Sequence, residues 1–518
     1  MEKEIKKSTI VICLTIIILI QVIARIYVGK EKEYFHIDEA YSYSLMNYDK
    51  IQITENSDFF DNWHDKSYYI DYLAVNSDEK LDFSPVYINQ KNDVHPPLYY
   101  LLLRIAASFT IDSFTKWTGI ILNIIIFIFS SIFIYLISNI LFKNKKMALF
   151  VTFVAGLTLG ALDTTAYIRM YELANLFILM ITYVHMKIYN KDELQIKDLL
   201  IIGIIALLGS LTHYYIIIYM AILFLIFVIK YIKKKQYKDL AKYVATFAIA
   251  AVLSLAIFPY SIQHMFGGYR GEGAKNNLLN IDTFFVDIAQ CFYILQKGVV
   301  NNLAILLIII YIIFKQKAKN KIEDGDKKIS LIFIPTLIYF ILVAKMSPYK
   351  ELRYFMPIIS VSTIWVMYYF YLLYRNTLKE KKSVIAMILT FIIVLVSPLV
   401  TGTNLEFTYK KMNHLAERVE EKSDLPAIYI FNENNIRFLD DIYMFTKIND
   451  SYIMRSSNAN IENVEKVLEG KDTSKGMIIV YNEGVEPEEI IKQIKEKYNY
   501  NNEEIMQNLN AGQVIYVH

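Results

Sequence analysis

Apolar positions in this chain come in long blocks, with neither the period of a strand nor that of a surface helix. Runs rich in Ile, Leu, Phe and Val start at 9–27 and 119–142 and recur to about residue 400. A helix of about 20 such residues crosses a hydrocarbon core. The pattern predicts about 11 spanning helices, centred near residues 18, 130, 154, 179, 205, 221, 251, 307, 337, 364 and 391. One block differs. At 98–109 the run opens after His95-Pro96-Pro97, is interrupted by Arg104, and at roughly a dozen residues is too short to span comfortably. It is expected to lie along the interface as an amphipathic helix with its apolar face in lipid.

Beyond residue 400 the pattern becomes that of a soluble domain. Strands are expected at 427–432, 452–455, 477–481 and 513–517, and helices at 434–445, 461–468 and 487–498. Alternating elements of this length indicate a small α/β layer domain of about 100 residues. The expected fold class is therefore a polytopic α-helical membrane protein with a juxtamembrane first outer loop and a C-terminal extracytoplasmic α/β domain. The transmembrane part is placed at 1–403, with the outer loop at 29–116, and the soluble part at 404–518. The soluble part contains no phosphate loop or dinucleotide fingerprint, and a structural or acceptor-positioning cap is its expected role.

Composition agrees with the pattern. The chain has 518 residues, of which 55% are hydrophobic, and a mean hydropathy of +0.32, which excludes a soluble protein. Lys3, Lys6 and Lys7 precede the first apolar run, but that run is longer than a signal-peptide core and Ala24 is the only small residue near its end. An uncleaved first span is expected. Cys13 and Cys291 lie far apart and suggest neither a disulfide framework nor a metal site. No internal repeat points to a transporter of duplicated halves.

The net charge is only +3, so the placement of basic residues is more informative than their sum. Lys143, Lys145 and Lys146, then Lys187 and Lys191, then clusters at 230–242, 315–328 and 375–382 each follow an apolar run. If 98–109 does not span, all fall on the cytoplasmic side with the N-terminus, as the positive-inside rule asks. An odd number of spans then places the C-terminus outside. It also places Asp38, Glu39, His95, Asp163, Arg169, His213, a glycine-bearing loop at 264–277 and the 350–353 segment on the outer face.

Taken singly, each has a plain reading: loop charge for Asp38 and Glu39, a helix start for His95 before two prolines, interfacial anchors for Arg169, His213 and Arg353. Gathered on one face they form a site candidate, because ionisable groups at membrane helix ends are costly unless paired or lining a wet cavity. A carboxylate pair supplies a base, and arginines with histidines hold an anion. That composition suits transfer of a group away from a phosphate.

These residues also resemble a known family. Asp38-Glu39 in the first outer loop, His95-Pro96-Pro97-Leu98 at its end, Arg169-Met170-Tyr171, His213-Tyr214-Tyr215, and Arg353-Tyr354 with Pro357 are similar to elements of family 39 of the GT-C membrane glycosyltransferases. That family includes protein O-mannosyltransferases and the lipid A aminoarabinose transferase, and the resemblance covers about residues 1–400. It implies a polyprenyl-phosphate-linked sugar donor, inversion at the anomeric carbon, and an envelope acceptor, whether protein, wall polymer or glycolipid. It assigns Asp38 and Glu39 as the catalytic pair, with Asp38 the candidate base and the choice between the two left open by the sequence, and Arg169, His95 and Arg353 to the donor phosphate. Tyr41, Tyr171, His213 and Tyr214 are assigned to substrate contacts. At the His95 position the aminoarabinose transferase has a lysine, and neutral imidazole is a weaker anion ligand. No cofactor, metal or nucleic-acid partner is expected; the lipid bilayer is. The alternatives are a polymer ligase or polymerase with a lipid-diphosphate donor, and a lipid-linked sugar transporter.

Overall fold

The computed structural model describes residues 6–49, 52–301, 324–377, 380–409, 418–433, 437–509 and 512–518. The chain divides into two compact units, and each draws on separated parts of the sequence. One comprises Met1–Gly29, Asp93–Tyr99 and Ile120–Glu406; the other comprises Lys30–Asn92, Tyr100–Gly119 and Phe407–His518. The second grouping differs from the linear boundary at 403/404: the first outer loop folds with the C-terminal segment.

The first unit is helical. Its long members are α1 (Lys7–Glu31), most of α6 (Lys116–Phe142), α11 (Tyr214–Lys233), α12 (Tyr237–Ile257), α16 (Asp324–Met346), α17 (Ile359–Thr377) and α18 (Glu380–Thr401). Among the described residues seven helices are long and apolar enough to cross a membrane, or nine if each of two bent pairs counts as one span. This makes a multi-pass membrane protein with seven to nine candidate spans among the described residues, against 11 expected over the whole chain. The bent pairs are α7 (Lys145–Ala155) with α8 (Leu159–Ala166), at 56°, and the stretch Ser261–Leu279 with α15 (Phe284–Val299), at 111°.

Two expected spans fall short for local reasons. The run near 205 gives α10 (Ile196–Ser210), only 15 residues. The run near 179 gives α9 (Tyr171–Ile188), 18 residues, with Glu172, Asn175 and His185 buried among its apolar positions. A further expected span, near 307, lies outside the described residues. The glycine-bearing loop at 264–277 is largely helical instead: α13 (Ser261–Phe266) and α14 (Gly268–Leu279) meet at Gly267-Gly268. Gly268 has φ +65°, a left-handed conformation that costs glycine little and lets the chain turn between two short helices.

Inside this unit the break between α7 and α8 is filled by polar groups from α1. Arg25, 1% exposed, donates to Gly156 O at 2.7 Å and Ala161 O at 3.2 Å, and its guanidinium stacks on Phe127. Gln21 donates to Thr152 O at 2.7 Å. These bonds bring extra donors to backbone carbonyls on both sides of the helix break, in an apolar interior where water does not supply them.

The second unit contains α2 (Ile37–Asn47), β1 (Asn62–Asp65), α3 (Lys66–Leu73), α4 (Ser84–Asn92) and most of α5 (Leu98–Ala107). To these it adds β2 (Ala427–Phe431), α19 (Ile442–Phe445), β3 (Asp450–Arg455), α20 (Ile461–Leu468), β4 (Met477–Asn482), α21 (Glu488–Tyr498), β5 (Glu503–Asn508) and β6 (Gly512–Val517). The six strands form one mixed sheet in the order β1-β3-β2-β4-β6-β5. β2 pairs parallel with β3 and β4, and all five of its residues are buried. Both faces are covered, so its sequence reads as a continuous apolar run without alternation. Ile428, Ile430, Met454, Ile479, Val464 and Ile491 pack on the face of α20 and α21.

Three features of this unit differ from expectation. The segment at 434–445 is a 3₁₀ turn (Arg437–Asp440) followed by α19, with 434–436 outside the described residues. β5 was not expected; it is a charged edge strand, Glu503-Glu504 first, with a bulge between Ile505 and Gln507. β1 comes from the outer loop and pairs antiparallel with β3, Trp63 opposite Tyr452. The short helix α5 has the 10-residue length its run implies, but Arg104 does not point away from the protein. It is fully buried and donates to Met46 O at 3.3 Å and Glu79 O at 2.8 Å.

Candidate active site

The acidic pair sits at the start of α2, in the second unit. His36 caps this helix: its Nδ1 accepts from Asp38 N at 3.1 Å, and Glu39 Oε2 accepts from His36 N at 2.7 Å. This reciprocal arrangement satisfies two otherwise unpaired donors of the first turn. Glu39 goes further and forms an ion pair with Lys32 at 2.8 Å, both side chains fully buried. Lys32 also donates to Phe407 O at 2.6 Å. Glu39 is thus held between a helix cap and a buried ammonium.

Asp38 differs from its neighbour. Its side chain is 27% exposed and its Oδ2 stands 3.6 Å from His36 Nδ1, too far for a hydrogen bond. At the second position of α2 it faces the positive end of the helix dipole, which favours the carboxylate. The Arg437–Asp440 turn packs on α2. Asp440, paired with Arg437 Nε at 2.8 Å, has its carboxyl pushed up to about 6 by burial, opposed by Arg437 and reinforced by Asp38. Tyr41 OH accepts from Gln52 at 2.6 Å.

The cationic residues lie in the first unit. Asp93 Oδ2 accepts from His95 Nδ1 at 2.9 Å, which fixes the imidazole tautomer. Arg169 Nη2 lies 3.5 Å from the same nitrogen, a contact of charge more than a hydrogen bond. Burial alone would raise the Asp93 carboxyl, but His95 and Arg169 outweigh it and hold it below its ordinary range. The His213 ring is centred 6.1 Å from His95 and 5.4 Å from Tyr171. Burial, with His95 and Arg169 adding to it, holds His213 well below the ordinary histidine value, so it is neutral at pH 7. His213 Nδ1 caps α11 by accepting from Tyr215 N at 3.1 Å.

Arg353 joins this group through Tyr167, to whose hydroxyl it donates at 3.2 Å; its Nε pairs with Glu351 at 2.7 Å. Tyr167 in turn stacks on Tyr171, ring centres 5.7 Å apart. His95, Arg169, His213, Tyr171 and Arg353 therefore form one connected cluster. Tyr214 is directed elsewhere, its hydroxyl 2.9 Å from His264 Nδ1. Lys32, Asp93, Tyr167 and Glu351 were not singled out from the sequence. Asp93 alone carried a local signal, two residues before His95. Among the described residues no group of three or more His, Cys, Asp or Glu side chains is disposed to hold a metal ion.

Residues 94–258, less than half of the chain, match the family model described as dolichyl-phosphate-mannose-protein mannosyltransferase. No curated protein matches significantly. Among solved structures, ArnT from Cupriavidus metallidurans bound to undecaprenyl phosphate aligns at 7% identity over 97% of both chains, with a TM-score of 0.48. The oligosaccharyltransferase AglB from Archaeoglobus fulgidus, in complex with an inhibitory peptide and a dolichol-phosphate, aligns at 13% identity over 92% of this chain and 69% of its own, also at 0.48. At such scores and identities the two structural likenesses carry no functional argument. The matched segment contains His95, Arg169, Tyr171, His213 and Tyr214. With that match, the chain is a membrane-embedded glycosyltransferase.

Proposed function

We propose that this enzyme belongs with the family 39 type of GT-C transferases. On this reading it moves a sugar from a polyprenyl-phosphate donor to a hydroxyl of an envelope acceptor, at the outer face of the cytoplasmic membrane. The observation that carries the reading is the connected cluster of Asp93, His95, Arg169, His213 and Arg353 within the helical unit. Two guanidiniums and an oriented imidazole in a largely dry setting suit the charge that develops on a departing lipid phosphate. Neutral His213 adds shape and a polar edge without repelling the cations beside it.

The transfer is a single inverting displacement. The acceptor oxygen bonds to the anomeric carbon as the bond from that carbon to phosphate oxygen breaks. The acceptor proton passes to Asp38, and the lipid phosphate leaves with its electron pair, held by Arg169, His95 and Arg353. A phosphate is already a competent leaving group, so no general acid is needed. Asp38 is preferred over Glu39 as base because its carboxylate is partly exposed, whereas Glu39 is sealed against Lys32. Glu39 then fixes the start of α2 and so the position of Asp38.

The test is transfer by the protein in reconstituted vesicles supplied with a lipid-monophosphate sugar and, in parallel, a lipid-diphosphate oligosaccharide. Asp38→Asn is expected to reduce transfer by about 10²–10⁴-fold with expression and membrane insertion unchanged. Near-normal turnover would remove Asp38 as the base. Arg169→Ala is expected chiefly to weaken use of the donor. Turnover of the diphosphate donor alone would favour the ligase or polymerase reading instead.

A further inference from the structure

We propose that Asn123 is a positioning residue for the donor phosphate, holding His95 and Arg169 in mutual register from inside the helical unit. The inference rests on the phosphate role assigned above to those two residues. Asn123 lies on α6 and is fully buried. Its Nδ2 donates to Thr165 O at 3.1 Å and to Tyr167 O at 3.0 Å, and its Oδ1 accepts from Tyr99 OH at 3.1 Å.

The partners give this amide its importance. Tyr99 follows His95 by four residues, in the first turn of α5, and Leu98 N beside it donates to Leu211 O at 3.0 Å, two residues before His213. Thr165 and Tyr167 end α8 and lead into the short link that carries Arg169, whose own N–H returns to Tyr167 O at 2.8 Å. Carbonyls at a helix C-terminus have no partner within the helix, and in an apolar interior water does not supply one. Asn123 gives a donor to each, beside the Arg169 N–H on Tyr167 O, and the same side chain reaches Tyr99 at the start of α5.

The far side of the link is tied down independently. Thr165 Oγ1 accepts from Arg25 Nε at 2.9 Å and donates to Glu172 Oε2 at 2.9 Å, and Glu172 follows Arg169 by three residues. Ser130 Oγ donates to Glu172 Oε1 at 3.4 Å. The link is therefore anchored through Thr165, Tyr167 and Glu172, and only Asn123 among these groups also reaches α5. Losing its amide removes a donor from each of the two carbonyls and an acceptor from the Tyr99 hydroxyl at once, so that Arg169 and His95 drift relative to each other. Misplacement of about 1 Å is enough to cost a site up to 10²-fold.

The experiment measures binding of undecaprenyl phosphate, and of undecaprenol as the phosphate-free control, to the full-length protein in detergent. Asn123→Ala is expected to raise the Kd for undecaprenyl phosphate about tenfold or more and to leave undecaprenol binding unchanged. Tyr99→Phe removes one hydroxyl only and is expected to act in the same direction more weakly. In an Arg169→Ala background both effects on the phosphate ligand should vanish, since residues acting through one another are non-additive. Equal losses for both ligands, full additivity with Arg169→Ala, or no change in either variant would each overturn the inference. If Arg169→Ala itself leaves the phosphate Kd unchanged, the phosphate assignment fails, and the positioning role falls with it. Should Asn123→Ala not fold, Tyr99→Phe decides alone.

Discussion

Asp38 and Glu39 are chemically alike and adjacent, yet the fold gives them different surroundings. Glu39 and Lys32 are both fully buried, and removing one partner of such a pair leaves an uncompensated buried charge, a loss of about 3–5 kcal/mol. Glu39→Gln is expected to lower the melting temperature of the full-length protein, and the double variant Lys32→Met with Glu39→Gln to restore much of it. Recovery of transfer with recovery of stability would mark Glu39 as structural; transfer that stays absent in a stable double variant would mark it as chemical. Asp441 adds a pH response. Burial, together with the charge of Asp440, pushes its carboxyl from 3.8 to about 8, and Tyr429 donates to its Oδ2 at 3.0 Å. The folded form therefore holds a proton that the unfolded chain gives up. The associated stability is complete below pH 3.8 and is lost as pH rises through about 8. Asp440 shifts in the same direction. Thermal unfolding followed between pH 4 and 8 should show a falling melting temperature, and Asp441→Asn should flatten that slope.

Among the elements, β1 shows how a loop becomes part of a sheet. The Asn62-Trp63-His64-Asp65 segment has no strand-like alternation of its own and is only four residues long. Pairing with β3 makes it a strand, and the aromatic residues around it supply the packing. Phe59 meets Phe438 with ring centres 4.9 Å apart, and Tyr69 meets Phe445 at 5.2 Å. Tyr69 and Ser451 share a hydroxyl–hydroxyl hydrogen bond of 2.8 Å. Replacing 62–65 by a Gly-Ser linker is expected to speed amide exchange in β3 much more than in β4, which β2 separates from it. Equal exchange in both strands would show that the β1 pairing contributes nothing. The helical elements show the converse. α9 and α10 have clear apolar runs, but Glu172 and His185 inside α9, and the early end of α10 at Ser210, make both poorer spans than their runs suggest.

For the whole molecule, the grouping of Lys30–Asn92 with Phe407–His518 has a functional consequence. The C-terminal segment is part of the body that holds α2, through the Arg437–Asp440 turn and through Lys32 bonded to Phe407 O. A chain truncated after residue 406 retains every candidate span yet should lose transfer, with the 30–92 segment newly open to limited proteolysis. An active truncated enzyme with a protected loop would show that the outer loop folds without its partner strands.

By itself the sequence determined that this is a helical membrane protein with a separate α/β segment, because burial in lipid imposes long apolar runs and a packed sheet imposes short ones. It also placed His95, Arg169, His213 and Arg353 together, since charge near a membrane is confined to few positions. It did not determine the partners of those charges. Lys32 for Glu39, Asp93 for His95, Tyr167 for Arg353 and Asn123 for the Arg169 link are chosen by packing between residues as much as 186 apart. Apart from Asp93, two residues before His95, no local pattern encodes such pairings. The tertiary structure alone decided which carboxylate is buried and which loop becomes a strand.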